Sequence, residues 1–562
     1  MKDMVEMSSL EMEKQQIGSN ISKGEVSKCV GNPTKAMAIL LVCSMGSFLF
    51  SVLKDPSPDN VPWNSLYNFS LFNKDQAGQV PMDDNKRLLG GLLPQGMEKD
   101  SCLSRYQMAL YRKRLQRKYP SSYLISRLRS YEATHKRCGP YTESYNRTLE
   151  YLKSGQYNST SPTDCNYIVW ISLSGLGNKM LTIASAFLYA LLTNRVLLVD
   201  PGENIPDLFC EPFPEVSWLL PPDFPIIDKF DTFNLTSPDS YGNMLRHSVV
   251  SNSTVPPYVY LNLLHDLDDH DELFFCDQEQ SLLHKVPWLI LKSNNYFVPS
   301  LFLMQSFEEE LNNLFPDEGS VFHFLGQYLF HPTNTVWGLI TRFYEAYLAR
   351  ADEIIGIQVR IIGIVGKGPE PLKYVVDQIV GCARNENLLP EISEKKPIIN
   401  PSKQHKTMKA VLITSLSAGY FETLRDMYWT HQTATGEIIE VYQPSHEENQ
   451  HTENEMHNMK ALAEINLLSL SDKLITSPWS TFGYVAQSLG GLRPWILVKS
   501  DNQTLTDPPC SRAASMDPCF HTPPNGNCRE KNWVDKGKIV PHVQHCEDRS
   551  WGLKLVDRDN ES

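Results

Sequence analysis

From Tyr167 onward, short apolar runs alternate with longer segments whose apolar residues recur at helical spacing. Residues 167–173 (YIVWISL) read as a buried strand, 174–178 (SGLGN) as a tight glycine loop, Lys179–Thr193 as a helix and 195–200 (RVLLVD) as a second strand ending in an acid. This is a βαβ unit, which implies a parallel sheet. A second series starts at Glu353. Strands are expected at Ile354–Arg360, Ala410–Ser415, Glu437–Tyr442, Lys473–Ser477 and Pro494–Val498, with helices near Phe421–Trp429, Asn454–Leu470 and Thr481–Leu489, the last stopped by Gly490 and Gly491. Two series parted near residue 350 predict an α/β fold with two Rossmann-like halves facing a cleft, where ligands bind beyond the carboxyl ends of the strands.

The pattern changes toward the N-terminus. Residues 1–35 are polar and read as a cytosolic tail. Ala36–Leu53 is an 18-residue stretch without charge, near the lower limit for a membrane-spanning helix. Lys23, Lys28 and Lys35 precede it, while Lys54, Asp55 and Asp59 follow, so the positive-inside bias places the remainder of the chain across the membrane. Residues 54–95, rich in Pro, Asn, Asp and Gly, suit a stem. Tyr106–Leu128 reads as a basic helical stretch with a solvated face. The expected divisions are 96–350 for an N-terminal Rossmann-like, acceptor-side domain, 351–505 for a C-terminal Rossmann-like nucleotide domain and 506–562 for a Cys-rich lobe.

Seven sequons, at Asn68, Asn146, Asn158, Asn234, Asn252, Asn502 and Asn560, follow the apolar stretch. So do ten of the 12 cysteines, which suits an oxidising lumen with disulfides. The net charge of −13 and the lack of a basic stripe argue against a nucleic-acid partner.

Arg360 ends its strand at the expected cleft, where a guanidinium can take a diphosphate bidentately; the alternative is an arginine paired with a nearby acid. Ser480 or Thr481 can cap the following helix, whose free amides form an anion site; the alternative is a plain capped helix. Gly175, Gly177 and Asn178 only partly match a dinucleotide fingerprint, although Asp200 stands where a ribose-binding acid would. The run from His265 through Asp266, Asp268, Asp269 and His270 to Asp271 contains a D-x-D string. It reads as an acceptor-side loop rather than a metal site, with Asp266 and Asp269 as candidate bases for an acceptor hydroxyl. Cys510, Cys519, Cys528 and Cys546 read as disulfide staples of a C-terminal lobe rather than zinc ligands.

These residues lie in longer strings that resemble the plant xyloglucan fucosyltransferase family. The strings are SGLGNKMLTIASAFLYALLTNRVLLVD (174–200), DLFCEPFP (207–214), VPWLILKSNNYFVPS (286–300), YLFHPTN (328–334), GIQVR (356–360), TSPWSTFGYVAQ (476–487), PCFH (518–521) and VPHVQHCED (540–548). The resemblance implies a GT-B-type variant fold, GDP-fucose as donor, inversion at the sugar carbon and no metal or other cofactor. It implies a galactose-bearing acceptor, in xyloglucan or in arabinogalactan proteins, and a type II protein of the Golgi membrane. Carried over by position, Arg360 contacts the diphosphate, and Gly175, Gly177 and Asn178 approach the donor. Ser480, Thr481 and Phe482 form the phosphate-side helix start, and His457 and Asn458 belong to an HNxK string. The chain departs from the family pattern at Ile361–Gly363, at Asn294 where an acid is common, at Asp268 where a glycine is common and at Asn466 where a tyrosine is common. These departures lie mainly on the acceptor side and admit two other readings, a protein O-fucosyltransferase and a non-catalytic Golgi partner. A homo-oligomer or a Golgi transferase complex is compatible with this arrangement.

Overall fold

The computed structural model describes residues 89–558 except 95, 113–117, 155–164, 251–254, 362–372, 394–406, 453, 501, 526–527 and 529–534. The expected tail, anchor and nearly all of the stem lie outside the described residues, as do Asn68, Asn158, Asn252, Asn560, Ile362 and Gly363.

Four strands, β1 (Tyr167–Trp170), β2 (Val196–Val199), β3 (Tyr258–Leu263) and β4 (Trp288–Ser293), form a parallel sheet in the order β2-β1-β4-β3. A second sheet holds β5 (Glu353–Val359), β6 (Met408–Ser415), β7 (Ile438–Tyr442), β8 (Lys473–Thr476), β9 (Trp495–Leu497) and β10 (Cys510–Arg512) in the order β10-β9-β8-β5-β6-β7. Only β10 runs antiparallel to its neighbour, and it carries the sheet past the expected boundary at 505. Both faces of each sheet are covered. In the first, Ile168, Trp170, Leu197 and Val199 face one core while Tyr167, Val169, Val196 and Leu198 face another. This explains the unbroken apolar runs, since a strand buried on both sides needs no polar alternation.

The helices that matter for the cleft are α1 (Leu103–Tyr111), α2 (Ser122–Cys138), α3 (Leu176–Thr193), α4 (Val321–Leu329), α5 (Asn334–Phe343), α6 (Gly419–Thr430), α7 (Glu455–Ser469) and α8 (Thr481–Gly490). The expected Tyr106–Leu128 helix is two helices. Pro120 cannot continue a helix, and the Ser121 hydroxyl accepts from Leu124 N to start α2 afresh. Helix α3 is long and apolar enough to cross a membrane, but most of it is buried inside the fold. It packs against α4 and α8, so the inner faces of both sheets share one core.

Arg195, 1% exposed, opens β2 and sends its guanidinium to backbone carbonyls. Nη1 donates to Val286 O at 2.8 Å and Nη2 to Leu283 O at 2.6 Å and His284 O at 3.2 Å, which fixes the turn entering β4. Disulfides join Cys102–Cys210, Cys138–Cys165, Cys276–Cys528, Cys382–Cys510 and Cys519–Cys546. Of the four C-terminal cysteines, only Cys519 and Cys546 close on each other. Cys510 ties β10 to the helix Lys373–Asn385, and Cys528 reaches back to Cys276 beyond β3. Replacing Arg195 by Met should cost about 3 kcal/mol or more, because it strands buried carbonyls without donors. A thermal midpoint unchanged from wild type would show that these bonds do not hold the turn.

Candidate functional site

In the first sheet the connections reverse between β1 and β4, and in the second between β5 and β8. Each switch point opens a crevice at the carboxyl ends of its strands. The loop after β1 meets the loops after β5, β6 and β8 around a cleft of about 460 Å³. All the predicted donor-side residues line it: Gly175, Gly177, Asn178, Arg360, His457, Asn458, Ser480, Thr481 and Phe482.

Arg360 follows β5 directly. Its backbone N–H donates to Ser477 Oγ at 2.9 Å, which ties the end of β5 to the loop after β8. Its Nη2 donates to Gln450 Oε1 at 2.6 Å, and no carboxylate forms an ion pair with it among the described residues. Among the described residues its side chain is therefore held by an amide rather than by an acid. Across the cleft, α8 begins at Ser480, whose hydroxyl accepts from Gly483 N at 3.3 Å. This cap leaves the amides of Thr481 and Phe482 without an intrahelical partner, at the positive end of the helix dipole. A guanidinium with no acid partner among the described residues and a helix N-terminus thus line one space, which suits an anion.

Helix α3 starts at Leu176, capped by Gly175, three residues before the expected Lys179, so Gly177 and Asn178 of the expected glycine loop form its first turn, and this turn locks onto the start of α8. Thr481 Oγ1 donates to Asn178 Oδ1 at 2.7 Å, and Asn178 Nδ2 donates to Asn294 O, beyond β4, at 3.1 Å. A β-carbon on Gly177 would lie 2.8 Å from Thr481 Oγ1 and 2.9 Å from Phe482 N, closer than side chains approach. Gly177 is thus required for contact between the two halves. Asp200 is engaged in shaping its own turn, its oxygens accepting from Ser172 N and Gly202 N, each at 3.1 Å, and it does not line the cleft.

The wall formed by α7 carries its own network. Asn454 caps the helix through His457 N, and Glu447 sits between His457 Nδ1 at 3.2 Å and Lys460 Nζ at 2.5 Å. These two partners hold Glu447 below the usual carboxylate range. Asn458 Nδ2 donates to Thr452 O at 2.6 Å. Deeper in the same wall, burial pushes the Glu464 carboxyl up to about 7, where it accepts from Ser445 Oγ at 2.5 Å.

His521 closes the remaining side. The Tyr484 hydroxyl donates to Asp548 Oδ2 at 2.5 Å, so it accepts from His521 Nε2 at 3.0 Å. Burial lowers His521 to about 4, which keeps the ring neutral with Nδ1 as acceptor. Trp479, in the left-handed region at φ 61°, is anchored by Asp548 and stacked under Lys499 and Arg549.

Asp266 and Asp269 stand apart from these residues. Both are exposed on the loop after β3, at the carboxyl end of the first sheet, and neither lines the cleft. Asp268 pairs with Arg246, and its Oδ1 accepts from His270 N and Asp271 N at 2.8 and 3.2 Å, so this member of the D-x-D string is occupied in shaping its own loop. Burial, with Asp268 nearby, raises Asp271 to about 7. Cys519, Cys546 and Asp548 lie within a metal's reach of one another, but both sulfurs are consumed in a disulfide.

Sequence reasoning missed Glu447, Gln450, Glu464 and Trp479 as cleft residues, and met His521 only in a family string and in the zinc question. Gln450 and Glu447 sit in a polar loop with no periodic signal. Glu464 was detectable as a lone acid within the apolar face of α7.

The model of the xyloglucan fucosyltransferase family matches residues 64–529. A galactoside 2-alpha-L-fucosyltransferase of Pisum sativum is 55% identical over 540 residues, 94% of each chain. One of Arabidopsis thaliana is 54% identical over 529 residues, 93% of each. Among solved structures, an arginine-to-lysine mutant of Arabidopsis thaliana FUT1 in complex with GDP is 56% identical, with a TM-score of 0.78 over 84% of this chain and 100% of that one. With its parallel-sheet architecture and these matches across nearly its whole length, the chain belongs to the xyloglucan fucosyltransferase family.

Proposed function

We propose that this protein is an inverting fucosyltransferase that moves L-fucose from GDP-fucose to the 2-hydroxyl of a galactose in xyloglucan or a related glycan, in plant cell-wall biogenesis. The carrying observation is that the Arg360 guanidinium, which has no carboxylate partner among the described residues, lines the same cleft as the N-terminal residues Thr481 and Phe482 of α8. The relatives' names, and the GDP held by FUT1, support the choice of nucleotide and acceptor.

The two parallel-sheet halves act as a GT-B-type pair, with GDP on the side of β5–β8 and the acceptor reaching the cleft from the first sheet. The acceptor hydroxyl attacks the fucose anomeric carbon opposite GDP; the carbon–oxygen bond to the β-phosphate breaks, and its electron pair leaves with GDP. Arg360 and the α8 amides meet the negative charge that grows on that phosphate. Alignment of both substrates in one interdomain space contributes much of the remaining rate. These fixed donors serve where other transferases use a divalent ion, so the reaction proceeds without metal. Asp266 and Asp269 are the candidate bases, directly or through water, from the loop after β3. The protein works in the Golgi lumen, held by the 36–53 anchor with its N-terminus in the cytosol.

Arg360→Ala should lower fucose transfer at least about 100-fold, the scale of losing one transition-state charge donor, with the fold retained. Transfer from labelled GDP-fucose to galactosylated xyloglucan, with arabinogalactan in parallel, measures this, and near-normal rates would remove Arg360 from the mechanism. Gly177→Ala should force the glycine loop off α8 and weaken GDP binding about tenfold or more; calorimetry with an unchanged dissociation constant would show that the close approach is unrelated to the nucleotide. Transfer should persist in excess chelator, and its loss would restore the metal reading of the Asp266–Asp271 loop.

A further inference from the structure

Asn294 and His265 form a pair at the carboxyl end of the first sheet; neither lines the cleft, but Asn294 is bonded to the cleft-lining Asn178. Asn294 follows β4 and His265 follows β3, and the two strands are parallel neighbours. The backbone of Asn294 is gripped from the cleft, because Asn178 Nδ2 donates to Asn294 O at 3.1 Å. The next residue, Asn295, accepts from Thr522 Oγ1 at 2.9 Å, and Thr522 adjoins the cleft-lining His521. The pair is therefore fastened to the nucleotide site at two points.

The orientation of the Asn294 amide follows from its neighbours. A backbone N–H can only donate, and His265 N points at one side-chain atom of Asn294 at 3.0 Å. That atom must be the oxygen, which also accepts from Asn295 Nδ2 at 3.1 Å. The Asn294 nitrogen then faces His265 Nδ1 at 2.8 Å and must donate to it. His265 Nδ1 is thus an acceptor, and the neutral ring carries its proton on Nε2. That Nε2–H has no polar partner among the described residues, and the side chain is exposed. Of the acids in the same loop, Asp268 is committed to Arg246 and to the backbone, and Asp271 faces Asp268.

We propose that His265 is an acceptor-positioning residue: Asn294 fixes it as an Nε2–H donor that hydrogen-bonds a sugar oxygen of the glycan, and it is not the base that takes the proton of the attacking hydroxyl. A neutral donor set by a neutral amide orients the acceptor without placing charge beside the reacting sugar. The assignment rests on the fucosyl-transfer reading of the cleft.

Three variants of the full-length protein separate donor from base. His265→Ala should raise the KM for the glycan about 3- to 10-fold, the scale of one hydrogen bond, with GDP binding and kcat little changed. His265→Gln should recover most of that loss, since the glutamine amide nitrogen can donate from nearly the position of Nε2 but cannot act as a base. Asn294→Asp should behave like His265→Ala, because a carboxylate draws the ring proton to Nδ1 and leaves Nε2 bare. Proton-coupled 15N spectra of histidine-labelled protein, with His265→Gln assigning the signal, should show the proton on Nε2 in wild type and on Nδ1 in Asn294→Asp. A wild-type proton on Nδ1 would overturn the proposal, as would a collapse of kcat in His265→Gln. An unaffected glycan KM in His265→Ala, with wild-type transfer intact, would defeat the positioning role alone. A wild-type protein that binds GDP but fucosylates no galactosylated glycan would instead defeat the reading of the cleft.

Discussion

The first turn of α8 lies so close to the glycine loop after β1 that a β-carbon at Gly177 would meet both Thr481 and Phe482. This contact governs the rest of the cleft. It brings the switch points of two separate sheets together and places the Asn178 amide where it bonds Thr481 on one side and Asn294 on the other. It also points the free amides of α8 at the space beneath Arg360. A guanidinium with no carboxylate partner among the described residues, lining the same cleft as a helix N-terminus, makes that cleft electropositive and suited to an anion.

The two sides of the cleft are built differently. Donor-side groups are tied to the backbone or to buried partners: Arg360 through Ser477, Ser480 through its cap, His457 through Glu447, and His521 through Tyr484 and Asp548. Such groups are already oriented when a nucleotide arrives, which is the condition for electrostatic stabilisation of a leaving phosphate. The proposed acceptor side consists of the exposed loop after β3, shaped by hydrogen bonds among its own residues, and the more buried turn after β4, which bonds both to that loop and to Asn178 and Thr522. The chain's departures from the family pattern at Asn294 and Asp268 fall in this region.

Two disulfides reinforce this division. Cys382–Cys510 holds the antiparallel edge of the second sheet to one of its helices, and Cys276–Cys528 ties the C-terminal region to the segment after β3. The C-terminal segment can therefore contribute His521 to the cleft, and Asp548 behind Tyr484 and Trp479, although neither belongs to either sheet.

Strands β1, β2 and β5 to β9, and the helices α3 and α6 to α8, were legible from sequence because burial on both sheet faces demands continuous apolar runs, and helices against them demand a 3.6-residue period. Strands β3 and β4 went unassigned as elements, being runs of six residues that follow Pro257 and Pro287 with no helical pattern before them. Arg360, Gly177 and Ser480–Phe482 were identifiable because position at a strand end or helix start is itself a local property. What the sequence by itself determined is therefore the elements and the chemistry at their ends. Only the tertiary structure decided that Arg360 bonds Gln450 and has no acid partner among the described residues, that Cys510 and Cys528 bond outside their lobe, that Glu447 and His521 reach the cleft, and that Asn294 sets the proton position on His265. Each of these depends on distances between segments remote in the chain, and no local periodicity encodes such distances.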